Sequence, residues 1–229
     1  IEQAITNHTK AIVINSPNNP TGNVISLETA QKLAHLAQKY NIFIISDEVY
    51  ADFVMPEQTF VPFVKYAPEH TITLGGWSKS FAMTGWRIGY IIGPDYVINA
   101  AHLINEGITY TAPSISQAAA LYATQHAEHL IAPLATAFEE RLTYINQQIE
   151  VIDWLDVVPI EGGIYAFVDI RKTGLDSLAF SEKLLQDARV IVIPGIAFGP
   201  SGEGFIRLAA TQPMDLIEEA FKRIKNIVF

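Results

Sequence analysis

Three polar positions in the first half of the chain follow runs that read as β-strands: Asn19, Asp47 and the pair Ser78-Lys79. Asn19 lies in the loop Pro17 to Gly22 after AIVIN (11 to 15), Asp47 closes IFIIS (42 to 46), and Ser78-Lys79 follow TITLG (71 to 75). An amide, a carboxylate, a hydroxyl and an amine delivered to one sheet edge can bind a small polar molecule and move its protons. In open α/β sheets, ligands bind outside the carboxyl ends of the strands. Each group alone has an ordinary explanation: Asn-Pro-Thr-Gly as a turn, Asp47 as a helix cap, Lys79 as a solvated charge. Jointly, three independent deliveries to one edge favour a site.

Other chemistries find no footing. GGWSKS (75 to 80) joins glycines to Lys-Ser but fails the phosphate-loop spacing, with Ser78 where a Gly is required. His126 and His129 are three apart on a helix, with no Glu or Cys completing a ligand set, so no metal is expected. No G-x-S-x-G elbow is present. Zero Cys excludes thiol catalysis and disulfides and fits a cytoplasmic location. Lys+Arg 15 against Asp+Glu 24 gives a net charge of −9, which argues against nucleic acid and anionic membrane as partners. No apolar run approaches the ~18 residues of a membrane span.

The elements that must position these groups alternate in type. Ser26 reads as an N-cap before Leu27, Ala30, Leu33, Ala34, Ala37 and Tyr40, which share a helical face. WRIGYII (86 to 92) reads as a further strand. The stretch from Ile72 to Ile92 has room for only a turn or short helix between strands, which predicts one antiparallel or inserted strand. A helical region from Ser116 to Gln125 leads into a long amphipathic helix with Leu130, Leu134, Phe138, Leu142 and Ile145 on one stripe. IYAFVDI, RVIVIPG and FIRLAA then read as strands around a helix (Phe180 to Ala188), and Met214 to Ile227 as a closing helix. The fold class is therefore α/β. A mostly parallel-sheet region over 1–129 is followed by an interdomain helix and small α+β domain over 130–229.

SPNNPTG (16 to 22), SDEVYADF (46 to 53) and GGWSKSFAMTGWRIGY (75 to 90) resemble, in order and spacing, the fold-type-I pyridoxal-phosphate-dependent aminotransferases of class I/II, relatives of aspartate and aromatic aminotransferases. The resemblance runs over essentially the whole chain, and the Ser-Lys to Gly-Trp-Arg block is its most specific part. It implies pyridoxal 5'-phosphate as cofactor, transamination between an α-amino acid and a 2-oxo acid, and a homodimer. Family members are longer. The expectation is thus the C-terminal portion of such an enzyme, 1–129 being part of its large cofactor domain, without the N-terminal segment that supplies a Gly-rich phosphate loop and a ring-stacking aromatic. The chain opens on Ile1 rather than Met, in keeping with this expectation.

Carried onto this sequence, the resemblance makes Lys79 the amine that joins the cofactor as an aldimine and then moves the substrate Cα proton. Asp47 would face the pyridine nitrogen and keep it protonated, making the ring an electron sink. Tyr50 and Asn19 would hydrogen-bond the ring's phenolic oxygen, the 47-to-50 spacing being one helical turn. Arg87, eight residues after Lys79, would grip the phosphate with Ser78 as a hydroxyl ligand. Arg207 in GFIRLAA, with Asn19, would take the substrate α-carboxylate; its ordinary alternative is an edge-strand charge. Tyr110 and Thr111 would lie near the partner subunit's site.

Two positions depart from the family. Gly76 stands where many relatives carry a hydroxyl that adds a phosphate contact. Glu106-Gly107-Ile108-Thr109 precede Tyr110-Thr111 where some dicarboxylate-specific members carry an Arg, so aspartate is not implied as substrate. A C–S lyase on the same fold is the nearest alternative, though such enzymes commonly have His where Tyr50 stands. A cofactor-sensing regulatory domain would bring a basic DNA-binding segment, and the sequence has none. A folded but catalytically incomplete fragment is the remaining alternative.

Overall fold

Ser26 starts the first helix as its residue type requires, its hydroxyl accepting from the Thr29 amide at 3.2 Å before α1 (Leu27–Tyr40). Ala30, Leu33 and Ala37 pack with Ile44 and Phe63 into one core, with Ile12 and Ile14 alongside. Leu27 and Tyr40, expected on the same face, are exposed because they stand at the two ends of the helix.

The computed structural model describes residues 1–228. It forms two units: Ile1–Pro17, Val24–Val54 and Thr59–Ala135 in the first, Asn18–Asn23, Met55–Gln58 and the chain from Thr136 onward in the second. No described helix is long and apolar enough to cross a membrane.

In the first unit β1 (Ala11–Asn15), β2 (Phe43–Asp47) and β3 (Thr71–Gly76) run parallel, and β4 (Gly89–Ile92) lies antiparallel to β3, in the order β1-β2-β3-β4. This is the α/β sheet with one antiparallel strand that the short connection predicts. The register sets Asn15 opposite Asp47 and Asp47 opposite Leu74, so β1 and β2 end level and β3 runs on to Gly76. The strand expected over 86 to 92 is shorter, because a 3-10 turn occupies Thr84–Trp86 and Arg87 adopts the left-handed conformation (φ 52°). α2 (Asp95–Ile108) has no counterpart in the sequence-based expectation. α3 (Ser114–Gln125) and α4 (Ala127–Glu150) match the two helical regions expected, although Leu130 is exposed.

The second unit contains β5 (Asp156–Val157), β6 (Tyr165–Asp169), α5 (Ser177–Ala188), β7 (Ile193–Pro194), β8 (Phe205–Ala209) and α6 (Met214–Ile224). Its sheet is antiparallel in the order β5-β6-β8-β7. The strand expected over 189 to 195 is only two residues long, because Arg189 takes the left-handed conformation that caps α5. Ala166 and Val168 of β6 and Ile206 of β8 turn into a core with Leu142, Ile149, Phe180 and Phe221. Two short segments join this unit from far upstream: Gly22 carbonyl accepts from the Glu161 and Gly162 amides at 3.0 and 2.9 Å, and Met55 amide donates to Glu161 carbonyl at 2.9 Å.

The turn from 195 to 202 is pinched by two glycines. A Cβ on Gly195 would lie 1.9 Å from the Gly202 carbonyl oxygen and 2.5 Å from that of Phe205, and a Cβ on Gly202 would lie 2.1 Å from the Gly195 oxygen. Both obstacles are backbone, which cannot swing aside. Gly195→Ala is therefore expected to destabilise the protein by about 1–3 kcal/mol or more. Urea denaturation checks this; an unchanged midpoint would contradict the pinched geometry.

Candidate active site

The first unit gathers five of the seven residues assigned to catalysis and to cofactor or substrate binding. Asp47 ends the central strand β2, on the face opposite buried Ile44 and Ser46. Its carbonyl accepts from Ser16 amide and Asn15 Nδ2, each at 3.2 Å, and its Oδ1 accepts from the Val49 amide at 3.3 Å. The segment from Val49 to Asp52 is a hydrogen-bonded turn rather than the helical turn the spacing suggests. Within it Tyr50 is buried, and Lys79 Nζ lies 5.6 Å from its ring centroid. Lys79 is half-buried rather than a solvated charge, on the turn that follows β3.

Electrostatics at this strand end are set by neighbouring carboxylates. Burial raises the Glu48 carboxyl above the usual carboxylate range, the Ser46 hydroxyl (2.8 Å) draws it partly back, and the Asp47 charge adds to the rise. Crowded carboxylates favour a cation beside them. Tyr90 responds in the same direction, its phenol raised first by burial and then by Glu48 and Asp52.

The turn that carries Lys79 is tied at both ends to α3. Trp77 Nε1 donates to Thr124 Oγ1 at 2.9 Å, and Ser116 Oγ donates to the Trp86 carbonyl at 2.9 Å. Trp77 also meets the Tyr90 ring edge-on at 5.3 Å between centroids. No sequence signal announces the Trp77–Thr124 pair, whose members are 47 residues apart. Ala82 between the two ties, and Arg87 directly after the second, hold the left-handed conformation at φ 53° and 52°. Non-glycine residues in that region are strained by ~1–3 kcal/mol and persist where surrounding structure imposes them, often at functional sites.

Ser78 is half-buried on the same turn, and Arg87 is exposed with Nη1 donating to the Thr84 carbonyl at 2.7 Å. Gly76 has a steric reason. A Cβ there would lie 3.2 Å from Gly89 Cα and from the Ile88 oxygen, tighter than ordinary contact, where β3 and β4 pair Gly76 with Gly89. Close strand approach therefore disfavours any side chain at this position, the expected hydroxyl included.

Asn19 and Arg207 belong to the second unit and meet there, Arg207 Nη1 donating to Asn19 Oδ1 at 2.7 Å. β8 lies between β6 and β7, so Arg207 is not an edge charge. Its Cζ lies 4.2 Å from the Tyr165 ring centroid and 4.9 Å from that of Phe198, and its Nε is buried with no hydrogen-bond partner among the described residues. Tyr165 and Phe198 escaped the sequence reading; the alternation Tyr165-x-Phe167 opposite Arg207 was the available signal.

Tyr110 and Thr111 lie on a built turn. Tyr110 has φ 63° and is 82% exposed. Asn105 holds it by donating Nδ2 to the Tyr110 carbonyl (3.2 Å) and accepting from Thr109 Oγ1 (2.7 Å). An open cleft of about 820 Å³ lies on this side of β4, its lining including Arg87, Tyr90, Asn105 and Thr111.

An α/β sheet thus has an amine, a carboxylate and a phenol near its carboxyl edge, where small-molecule ligands bind in such sheets. Residues 1–224 match aminotransferase class I and II, and the chain belongs to that family. The aspartate aminotransferase of Pyrococcus horikoshii is 37% identical over 226 residues, covering 98% of this chain and 58% of that protein. The aspartate/prephenate aminotransferase of Nitrosomonas europaea is 36% identical over 243 residues, covering 100% and 61%. The crystal structure of an aromatic aminotransferase from Pyrococcus horikoshii superposes with a TM-score of 0.94 at 32% identity, covering 98% of this chain and 61% of that one. The chain thus spans about 58–61% of the length of these relatives.

If α3 fixes the Lys79 turn through its hydrogen bonds, Thr124→Val should cost about 0.5–1.5 kcal/mol, because it keeps the shape and removes the acceptor for the Trp77 indole. Chemical denaturation followed by tryptophan fluorescence measures it. A variant as stable as the parent, with an unaltered Trp77 emission, would show that the tie contributes nothing.

Proposed function

We propose that this chain carries the lysine, the ring-nitrogen carboxylate and the carboxylate-binding arginine of a pyridoxal-phosphate-dependent enzyme that transaminates α-amino acids and 2-oxo acids. The observation that carries this reading is the placement of Lys79, its Nζ over the Tyr50 ring on the same strand-end edge as Asp47. The donor set suits the cofactor: a carboxylate for a ring nitrogen, a phenol for a ring oxygen, an amine for an aldehyde, and a hydroxyl and a guanidinium for a phosphate. Bound, the cofactor supplies an electron sink for the substrate Cα. Asp47 holds a proton on the ring nitrogen. Tyr50 donates to the ring oxygen, and Ser78 and Arg87 grip the phosphate. Lys79 takes the Cα proton and returns one, as general base and then acid. Arg207 orients the substrate by its carboxylate, with Asn19 fixing the guanidinium. The names of the relatives span aspartate, prephenate and aromatic substrates, and the side chain accepted here stays at the level of an α-amino acid.

A homodimer belongs to the same proposal. Leu103, Ile104 and Ile108 of α2 are 72%, 63% and 76% exposed, and beside them the Asn105-held turn projects Tyr110 outward. An apolar face next to a presented aromatic suits contact with a second subunit.

In the holoenzyme, borohydride reduction followed by peptide mass spectrometry should find the cofactor on Lys79. Lys79→Ala should abolish trapping, whereas Lys39→Ala, which removes an exposed ion pair with Glu2 (2.8 Å), should leave it intact. Equal trapping in Lys79→Ala and parent would end the proposal. Asp47→Asn should retain the cofactor yet slow Cα proton removal by orders of magnitude. A single-turnover change below about tenfold, ~1.4 kcal/mol, would remove Asp47 from the ring-nitrogen role.

A further inference from the structure

We infer that Tyr165 and Phe198 are positioning residues for Arg207: their rings, acting with Asn19, fix the guanidinium so that its outer end is what a carboxylate meets. The inference rests on the reading of Arg207 as the α-carboxylate's partner. Along β6 and β8 the side chains alternate. Ala166, Val168 and Ile206 enter the core, and Tyr165, Phe167, Phe205 and Arg207 share the other face. Arg207 Cζ is 4.2 Å from the Tyr165 centroid and 4.9 Å from the Phe198 centroid, both inside the ~6 Å reach of a cation over an aromatic ring. Nη1 is engaged by Asn19, and Nε is buried without a partner among the described residues. What remains for a ligand is the end of the group away from Nε.

Phe198 is itself fixed. Its ring meets Phe167 edge-on at 6.4 Å, and its turn is closed by the Gly195–Gly202 contact. Ile196 amide donates to Ser177 Oγ at 3.3 Å, and that hydroxyl donates to Glu203 Oε2 at 2.9 Å. An arginine side chain is long and loses much rotamer freedom when it binds. One held in advance binds a carboxylate with less loss, which is the physical meaning of pre-organisation. Leucine at either ring position would keep apolar bulk and lose the ring quadrupole that attracts the cation.

The test uses the holoenzyme and two probes: 2-aminoisobutyrate, an amino acid without a Cα proton, and isopropylamine, the same molecule without its carboxylate. The ratio of their dissociation constants, from calorimetry, isolates recognition of the carboxylate. The parent should prefer the amino acid, and Arg207→Leu should abolish the preference. Phe198→Leu and Tyr165→Leu should each reduce it by about 2- to 30-fold with little change for isopropylamine. Phe198→Tyr and Tyr165→Phe, which keep a ring, should retain it. Undiminished preference in both leucine variants, with Arg207→Leu abolishing it, would overturn the inference and leave the role of Arg207 standing. Preference that survives Arg207→Leu would overturn that role and the inference with it. Loss in Phe198→Tyr equal to that in Phe198→Leu would assign the effect to the shape of the turn and also overturn the inference.

Discussion

A shared carboxyl edge in a parallel sheet, with β1 and β2 ending level and β3 reaching Gly76, is the constraint on which the first unit depends. β1, β2 and β3 align Asn15, Asp47 and Leu74, and every connection leaving that edge delivers its first residues to the same side. The backbone there is closed by hydrogen bonds: Asp47 carbonyl takes Ser16 amide and Asn15 Nδ2, and Leu74 carbonyl takes Glu48 amide at 2.9 Å. A strand end with its main chain satisfied can carry a carboxylate at a fixed place without unfolding around it. The antiparallel β4 completes the arrangement. Because it returns beside β3, the turn holding Lys79 starts and finishes on neighbouring strands, and the glycines at 76 and 89 permit that approach.

Much of this was legible in the residues. Apolar runs ending in Asn, Asp or Gly located the parallel strands, Ser26 located the start of α1, and the short span from Ile72 to Ile92 pointed to an antiparallel or inserted strand, of which the first is found. Lys79 and Asp47 stood out because residue type and position after a strand coincide, and the positions read for them, after β3 and at the end of β2, are where they lie. What escaped has a common physical cause. Arg87 ends the strand expected from 86 by taking a left-handed conformation, and such a conformation in a non-glycine residue is imposed by tertiary contacts rather than by local preference. The inclusion of Asn18–Asn23 in the second unit likewise depends on bonds from Gly22 to residues about 140 positions later, which no window along the chain can contain.

The two units hold Lys79 and Arg207 by different means, and the roles proposed for the two residues account for the difference. In the role proposed for it Lys79 would exchange bonds and protons, so its Nζ could not be locked. The protein holds the turn instead, through Trp77–Thr124 and Ser116–Trp86, and the Lys79 Nζ lies over the Tyr50 ring. In the role proposed for it Arg207 would only have to be aimed, so the guanidinium itself can be held.

Holding it requires partners that do not cancel it. A carboxylate beside Arg207 would neutralise the charge and compete with the substrate's own carboxylate for the same donors. A neutral amide and aromatic rings stabilise a cation while leaving its net charge in place. Asn19, Tyr165 and Phe198 are such partners, and no carboxylate is found within salt-bridge distance of Arg207 among the described residues. A buried Nε without a partner is costly on its own terms. It is understandable where the alternative, an acceptor placed against it, would draw away the charge that the proposed carboxylate site would use.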